Sequence, residues 1–293
     1  MRILILGGDG MLGHQLLRDL SRSHDVRVTL RQDLSVYEKF GLFDKHNSFA
    51  GVDVRVTDQV LHAFSDFRPG IVINAVGVVK QRPDGLDAIP NLEINALLPH
   101  RLASICGAIK AHLIHISTDC VFSGRRGGYK EDDEPDPIDV YGHSKLLGEV
   151  TAPCCMTLRT SIIGRELSRK TSLLEWFLAQ RGAVPGFRNA IFSGFTTPEM
   201  SHIIEKLITR FPDSSGIYHI SSFPISKYEL LKLVKKTFDL PVELVPEDEF
   251  RCDRSLDSTR FRRDFDYTPP TWEHMIGELA REYNSTPREP DDV

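Results

Sequence analysis

Long apolar runs are missing from this 293-residue chain. No segment approaches the roughly 18 consecutive apolar residues of a membrane span, and the run Ile3 to Leu6 is too short for the core of a secretory leader. A cytoplasmic protein with no membrane partner is expected. Cysteine is scarce: Cys106, Cys120, Cys154, Cys155 and Cys252 are an odd set without Cys-x-x-Cys spacing. That argues against a disulfide framework or a zinc site and leaves reduced thiols. A basic surplus is missing too. The 36 Lys and Arg are outnumbered by 41 Asp and Glu, for a net charge of -5, so no nucleic acid is expected as partner. His112 and His115 point to opposite faces of one strand, and Glu131-Asp132-Asp133-Glu134 reads as a solvated loop, so no metal is expected.

What is present is a core: 41% of the residues are hydrophobic, enough for one elaborated α/β domain or two domains. Strand-length apolar runs alternate with helix-period segments through the first half, the pattern of βαβ units and a parallel sheet. Strands are expected at Arg2 to Leu6, Val26 to Leu30, Gly51 to Val54, Ile71 to Ala75, His112 to Ser117 and Met156 to Thr160. Helices are expected at Met11 to Ser21, Val60 to Asp66 and Asn91 to Lys110, with another opening at Tyr141, and Gly124 to Asp139 as a surface loop. The fold class is a Rossmann-type doubly wound parallel sheet with a smaller C-terminal substrate-binding α/β region. Residues 1–164 form the expected NAD(P)-binding domain and 165–293 the substrate-binding region. Within the latter, a part near 215–235 returns to pack on the first sheet. Ala183 to Phe195 reads as irregular, and 284–293 as a disordered tail.

Gly7-Gly8-Asp9-Gly10-Met11-Leu12-Gly13 follows the first strand and opens the first helix. Gly7 permits a tight turn, Gly10 lets backbone approach a pyrophosphate, and Gly13 allows helix to pack on strand. The helix N-terminus, with Asp9, Met11 and Leu12 around it, offers free amides to an anion. The second strand ends in Leu30-Arg31, and the Arg31 guanidinium suits a 2′-phosphate. NADP(H) is therefore favoured over NAD(H), although Asp33 keeps the latter open. Asp53 and Val54 could edge the adenine. Ala75, Val76 and Gly77 end the fourth strand with small residues where a cofactor would lie, and Ser117-Thr118-Asp119 puts hydroxyls at the same edge of the sheet.

Tyr141 and Lys145 stand four residues apart on one helical face. A cation held beside a phenol lowers its pKa toward working pH, which suits Tyr141 to donate a proton to a carbonyl.

Gly7, Gly10 and Gly13, Ser117-Thr118-Asp119, Tyr141 with Lys145, and Leu158-Arg159-Thr160-Ser161 together resemble the extended short-chain dehydrogenase/reductase family. Within it the likeness is to dTDP-4-dehydrorhamnose reductases and related nucleotide-sugar 4-ketoreductases. The resemblance implies a triad in which Lys145 holds the nicotinamide ribose, Tyr141 protonates the substrate oxygen and Thr118 bonds that oxygen. It places Thr160 beside the cofactor and gives Asn95 a part in the proton path or in internal packing. Dehydratases of this family carry Thr-Asp-Glu, whereas this chain has Thr118-Asp119-Cys120, which implies reduction rather than elimination. Rhamnose reductases carry aromatics at the positions of Cys120 and Ile162, so the resemblance does not fix the sugar. Asp119, Cys120, Arg188, Thr197 and Arg254 are the remaining candidate substrate contacts, for a nucleotide sugar with a diphosphate to be bound by guanidinium groups. An epimerase with retained NAD, or a non-catalytic cofactor-binding regulatory subunit, would use the same fold. A homodimer is open to any of these.

Overall fold

The computed structural model describes residues 1–80, 87–168 and 170–285. No helix among them is long and apolar enough to cross a membrane. The first half runs β1 (Arg2–Leu6), α1 (Met11–Leu20), β2 (Asp25–Thr29), β3 (Ser48–Phe49), α2 (Thr57–Phe67) and β4 (Ile71–Asn74). It continues with α3 (Ala88–Pro90), a π-helical segment (Asn91–Leu97), α4 (Leu98–Ile109), β5 (His112–Ile116), α5 (Val140–Leu147) and β6 (Cys155–Arg159). These strands stand in the order β6-β5-β4-β1-β2-β3, all parallel. Both faces of such a sheet are covered, so its central strands are mostly apolar. β1 shows the consequence: Ile3 and Ile5 enter one core beside Leu16, Ile204 and Met275, while Leu4 and Leu6 enter the other beside Phe64, Leu102 and Cys106.

Two features of this half differ from expectation. The third strand is Ser48–Phe49, not Gly51 to Val54, because Gly51 takes a left-handed φ of 71° and turns the chain, its amide bonding the Gln32 carbonyl. The stretch from Gly124 to Asp139 is no plain surface loop. Tyr129 is buried in it, stacked on Phe122 at 4.2 Å between ring centroids and bridged to Leu256.

The second half follows as β7 (Ile162–Ile163), α6 (Leu173–Leu178), β8 (Gly182–Phe192), β9 (Phe195–Thr196), α7 (Thr197–Arg210), β10 (Gly216–His219), β11 (Ile225–Ser226), α8 (Lys227–Thr237), β12 (Val242–Asp253), α9 (Thr259–Asp264) and α10 (Trp272–Ser285). β10 joins the main sheet beside β6, parallel to it, making seven strands. The segment expected to be irregular contains an 11-residue strand, β8, which lies between β11 and β12 in a three-stranded sheet. Gly182, Pro185 and Gly186 break its apolar pattern, and its long partner β12 lies some 60 residues on, with Gly182 against Val242 and an irregularity between Glu247 and Arg251. α10 reaches Ser285, and residues 286–293 of the expected tail lie outside the described residues.

Candidate active site

The first helix begins soon after β1 ends, and the turn between them is tight at its glycines. Gly7 has φ +86°, and a Cβ on Gly13 would come within 2.0 Å of the Gly7 carbonyl oxygen. Gly10 is the N-cap of α1 and supplies no capping side chain, so nothing of its own competes with an anion for the first-turn amides. Asp9, Gly10, Met11 and Leu12 line a cleft of about 520 Å³ across the carboxyl ends of the strands. Asp9 also accepts a hydrogen bond from Tyr37 Oη at 3.1 Å.

A smaller hollow of about 110 Å³ adjoins the cleft, sharing Asp9, Gly10, Ala75, Val76 and Gly77 with it. Gly7, Arg31, Asp53 and Val54 line this hollow, and so does Arg55, which the sequence reading passed over. Arg31 is exposed and close enough to Asp53 to help hold its carboxyl down. Arg55 grips Asp53 with Nε at 3.0 Å and Nη2 at 2.5 Å, and that bond holds the carboxyl down at about 2. Two guanidinium groups thus border the hollow. Only the spacing of two from Asp53 could have pointed to Arg55.

Asn95 faces neither space. Its side chain is fully buried, taking the Val78 amide at 2.9 Å and donating to the Val78 carbonyl, Asn91 Oδ1 and Ser144 Oγ. It ties the loop after β4 to α5, which is the internal packing expected as one of its two roles. Pro99 has no N–H to give the Asn95 carbonyl, and Gly148 packs onto that oxygen, where a Cβ would stand 1.9 Å away.

Ser117, Thr118, Asp119, Cys120, Tyr141, Lys145 and Thr160 all line the cleft. Thr118 Oγ1 donates to Asp119 Oδ1 and accepts from the Cys120 amide, each at 3.2 Å. The Ser117 hydroxyl is turned away to Glu149 Oε1 at 2.8 Å, where Arg159 forms a buried pair with the same carboxylate. Burial pushes the Asp119 carboxyl up, against the pull of Arg254, and pushes the Cys120 thiol up to about 12.

The Tyr141 phenol is shifted opposite to the expected direction. Burial, followed by the neighbouring Cys120, pushes the phenol up rather than down. Lys145, four residues on, donates its Nζ to the Ile116 carbonyl at 2.6 Å, and burial brings its ammonium down to about 8. The cation over the Tyr141 ring is Lys80, 5.5 Å from its centroid.

Of the expected substrate contacts, Arg254 lines the cleft and is fixed by Nε donating to the Phe122 carbonyl at 2.8 Å. Arg188 does not line it. Strand β8, unforeseen, carries Arg188 to the outside, where it pairs with Asp248 at 3.4 Å, both side chains about half exposed. Thr197 does not line it either. It is buried as the first residue of α7, packed against Gly164 with its hydroxyl unpartnered. The second half contributes instead Lys227, Phe250 and Cys252, along with Ala190 to Phe192. On α7 and α10, Glu199, His202 and Glu278 bring potential ligand atoms within 4.8 Å of one another, a grouping not evident from spacing.

The methionine adenosyltransferase 2 subunit beta of Mus musculus is 32% identical over 152 residues, which are 50% of this chain and 41% of that protein. The chain thus spans about two fifths of the length of that relative. The dTDP-4-dehydrorhamnose reductase of Aggregatibacter actinomycetemcomitans is 28% identical over 239 residues, 78% of this chain and 76% of that one. A solved structure described as a hypothetical dTDP-4-dehydrorhamnose reductase from Sulfolobus tokodaii superposes with a TM-score of 0.75 at 29% identity, covering 92% of this chain and 98% of that chain. The family model described as the RmlD substrate binding domain matches residues 1–181. On that match, and on the glycine turn and hydroxyl edge that lie within it, the chain belongs to the RmlD substrate binding domain family of extended short-chain dehydrogenase/reductases.

Proposed function

We propose that this protein reduces the 4-keto group of a 6-deoxy nucleotide sugar with NADPH, in the synthesis of a deoxyhexose for a surface polysaccharide. The observation that carries the reading is the meeting of Thr118, Tyr141 and Lys145 with the glycine turn in one cleft. The adjoining hollow fits the adenosine end of a dinucleotide, and the free first-turn amides of α1 fit its pyrophosphate. Arg31 and Arg55 fit a 2′-phosphate, which supports NADPH. A reduced nicotinamide, when bound, supplies hydride.

The chain's own residues do the rest. Tyr141, held neutral by burial, carries the proton that the reduced oxygen takes up. Thr118 supplies a hydroxyl at the same place. Lys145, buried and with its ammonium brought down to about 8, holds its place by the Ile116 carbonyl and offers its other donors to a ribose. Cys120, raised by burial, is a thiol and no base for elimination, which supports reduction alone.

The test is NAD(P)H oxidation with keto nucleotide sugars prepared in situ by their dehydratases. Turnover with NADPH, and a larger loss for NADPH than NADH in Arg31→Ala, about tenfold against little, is expected. Equal loss for both cofactors removes the 2′-phosphate argument.

A second reading, a cofactor-binding regulatory subunit, is supported by the 32% identity to the methionine adenosyltransferase subunit. Absence of turnover with every keto sugar, together with binding of NADP(H), would favour it.

A further inference from the structure

Lys80 leaves the main sheet on the loop after β4, the loop that begins with Ala75, Val76 and Gly77 beside both cofactor hollows. Its Nζ reaches Asp139 Oδ2 at 2.5 Å. Asp139 is the N-cap of α5, its Oδ1 accepting from the Gly142 amide at 2.8 Å, so the cap stands two residues before Tyr141. The ammonium that holds the cap also lies over the Tyr141 ring.

The charges around this phenol are uneven. Asp119 and Cys120 from the turn after β5, and Asp139 from the head of α5, all disfavour the phenolate. Arg254, from the segment after β12, acts on Asp119 and Asp139. Lys145, on the helix of Tyr141 itself, is bound to the Ile116 carbonyl. Lys80 is the cation set against the ring, with its side chain 29% exposed.

We propose that Lys80 is a positioning residue for proton transfer: tethered by Asp139, its ammonium holds positive charge on the Tyr141 ring and favours the phenolate left when the proton is given up. The same tether fixes the cofactor loop to the head of α5, so the donor and the loop are registered by one ion pair. The inference rests on the reductase reading for its kinetic consequence only.

The experiment replaces tyrosine by difluorotyrosine, whose phenols titrate at lower pH, and follows each ring by fluorine NMR. Tyr141→Phe identifies the relevant signal among the 7 tyrosines. Loss of a unit charge about 5 to 6 Å away, discounted for partial exposure, shifts the titration upward by about half to one pH unit in Lys80→Gln, and Lys80→Arg restores it. An unchanged titration in Lys80→Gln overturns the proposal, and that readout needs no substrate. With a keto nucleotide sugar, Lys80→Gln lowers kcat about threefold with KM kept within about twofold. A change in KM alone overturns the proposal, since Lys80 would then be a substrate ligand. A native chain that turns over no keto sugar refutes the reductase reading and leaves the titration to decide the role of Lys80.

Discussion

The edge of the seven-stranded sheet and the three-stranded sheet above it contribute to the same cleft by opposite means. At the edge, atoms are held by buried backbone and by fully bonded side chains. Gly13 has no space for a methyl group, Asn95 uses both amide hydrogens and its oxygen, and Lys145 is pinned to a carbonyl. In the smaller sheet β12 is mostly exposed, and pairs such as Arg188 with Asp248 face solvent. Chemistry common to many substrates needs fixed distances, whereas recognition of one substrate can be rebuilt on a surface that tolerates change.

Substitutions can sharpen that contrast. Tyr141→Phe should lower ketone-dependent NADPH oxidation by roughly 10²- to 10⁴-fold while cofactor affinity, measured by fluorescence titration, stays within about threefold. Undiminished turnover would remove Tyr141 from its role. Gly13→Ala drives a methyl group onto the Gly7 carbonyl and should cost about 1–3 kcal/mol in denaturant unfolding as well as cofactor binding. A native-like midpoint would mean that the turn can open after all.

Acid should also act through buried groups. His14, bonded through Nδ1 to the Gly10 carbonyl, and His219, on β10, are held by burial at about 4 against 6.5 for a free imidazole. The unfolded chain therefore binds protons in that interval that the native chain does not, and stability falls as pH drops from about 6.5 toward 4. Unfolding midpoints measured across that range should decline, and His219→Gln should flatten the decline. A profile flat in the native chain would contradict the assignment. The smallest effect is expected in the outer sheet, where Arg188→Ala should change stability by less than about 0.5 kcal/mol and turnover by less than about twofold. A large loss of substrate affinity would bring Arg188 back into the site.

The same contrast explains what could be read from the residues alone. Apart from β3, the strands of the first half announce themselves as short apolar runs, and the glycine turn, the hydroxyl edge and the Tyr141 helix each depend on neighbours a few residues away. β8 and β12 pair with each other across some 60 residues, and Gly182, Pro185 and Gly186 interrupt the alternation of β8, so its partner is not legible from its neighbours in sequence. Lys80 and Arg55 escaped for a like reason: each matters through a carboxylate, Asp139 or Asp53, that only the fold or a side-chain rotamer brings to it. The Tyr141 shift runs opposite to expectation because helical spacing gives the distance between two side chains but not how deeply each is buried.

β10 is contributed by the second half but hydrogen-bonded to β6 of the first. Exchange of the second half between two such proteins by a single splice would therefore set the donor's edge strand against the acceptor's β6. A graft that keeps the native pairing leaves 216–219 in place, with a junction on either side of it in addition to the one between the halves.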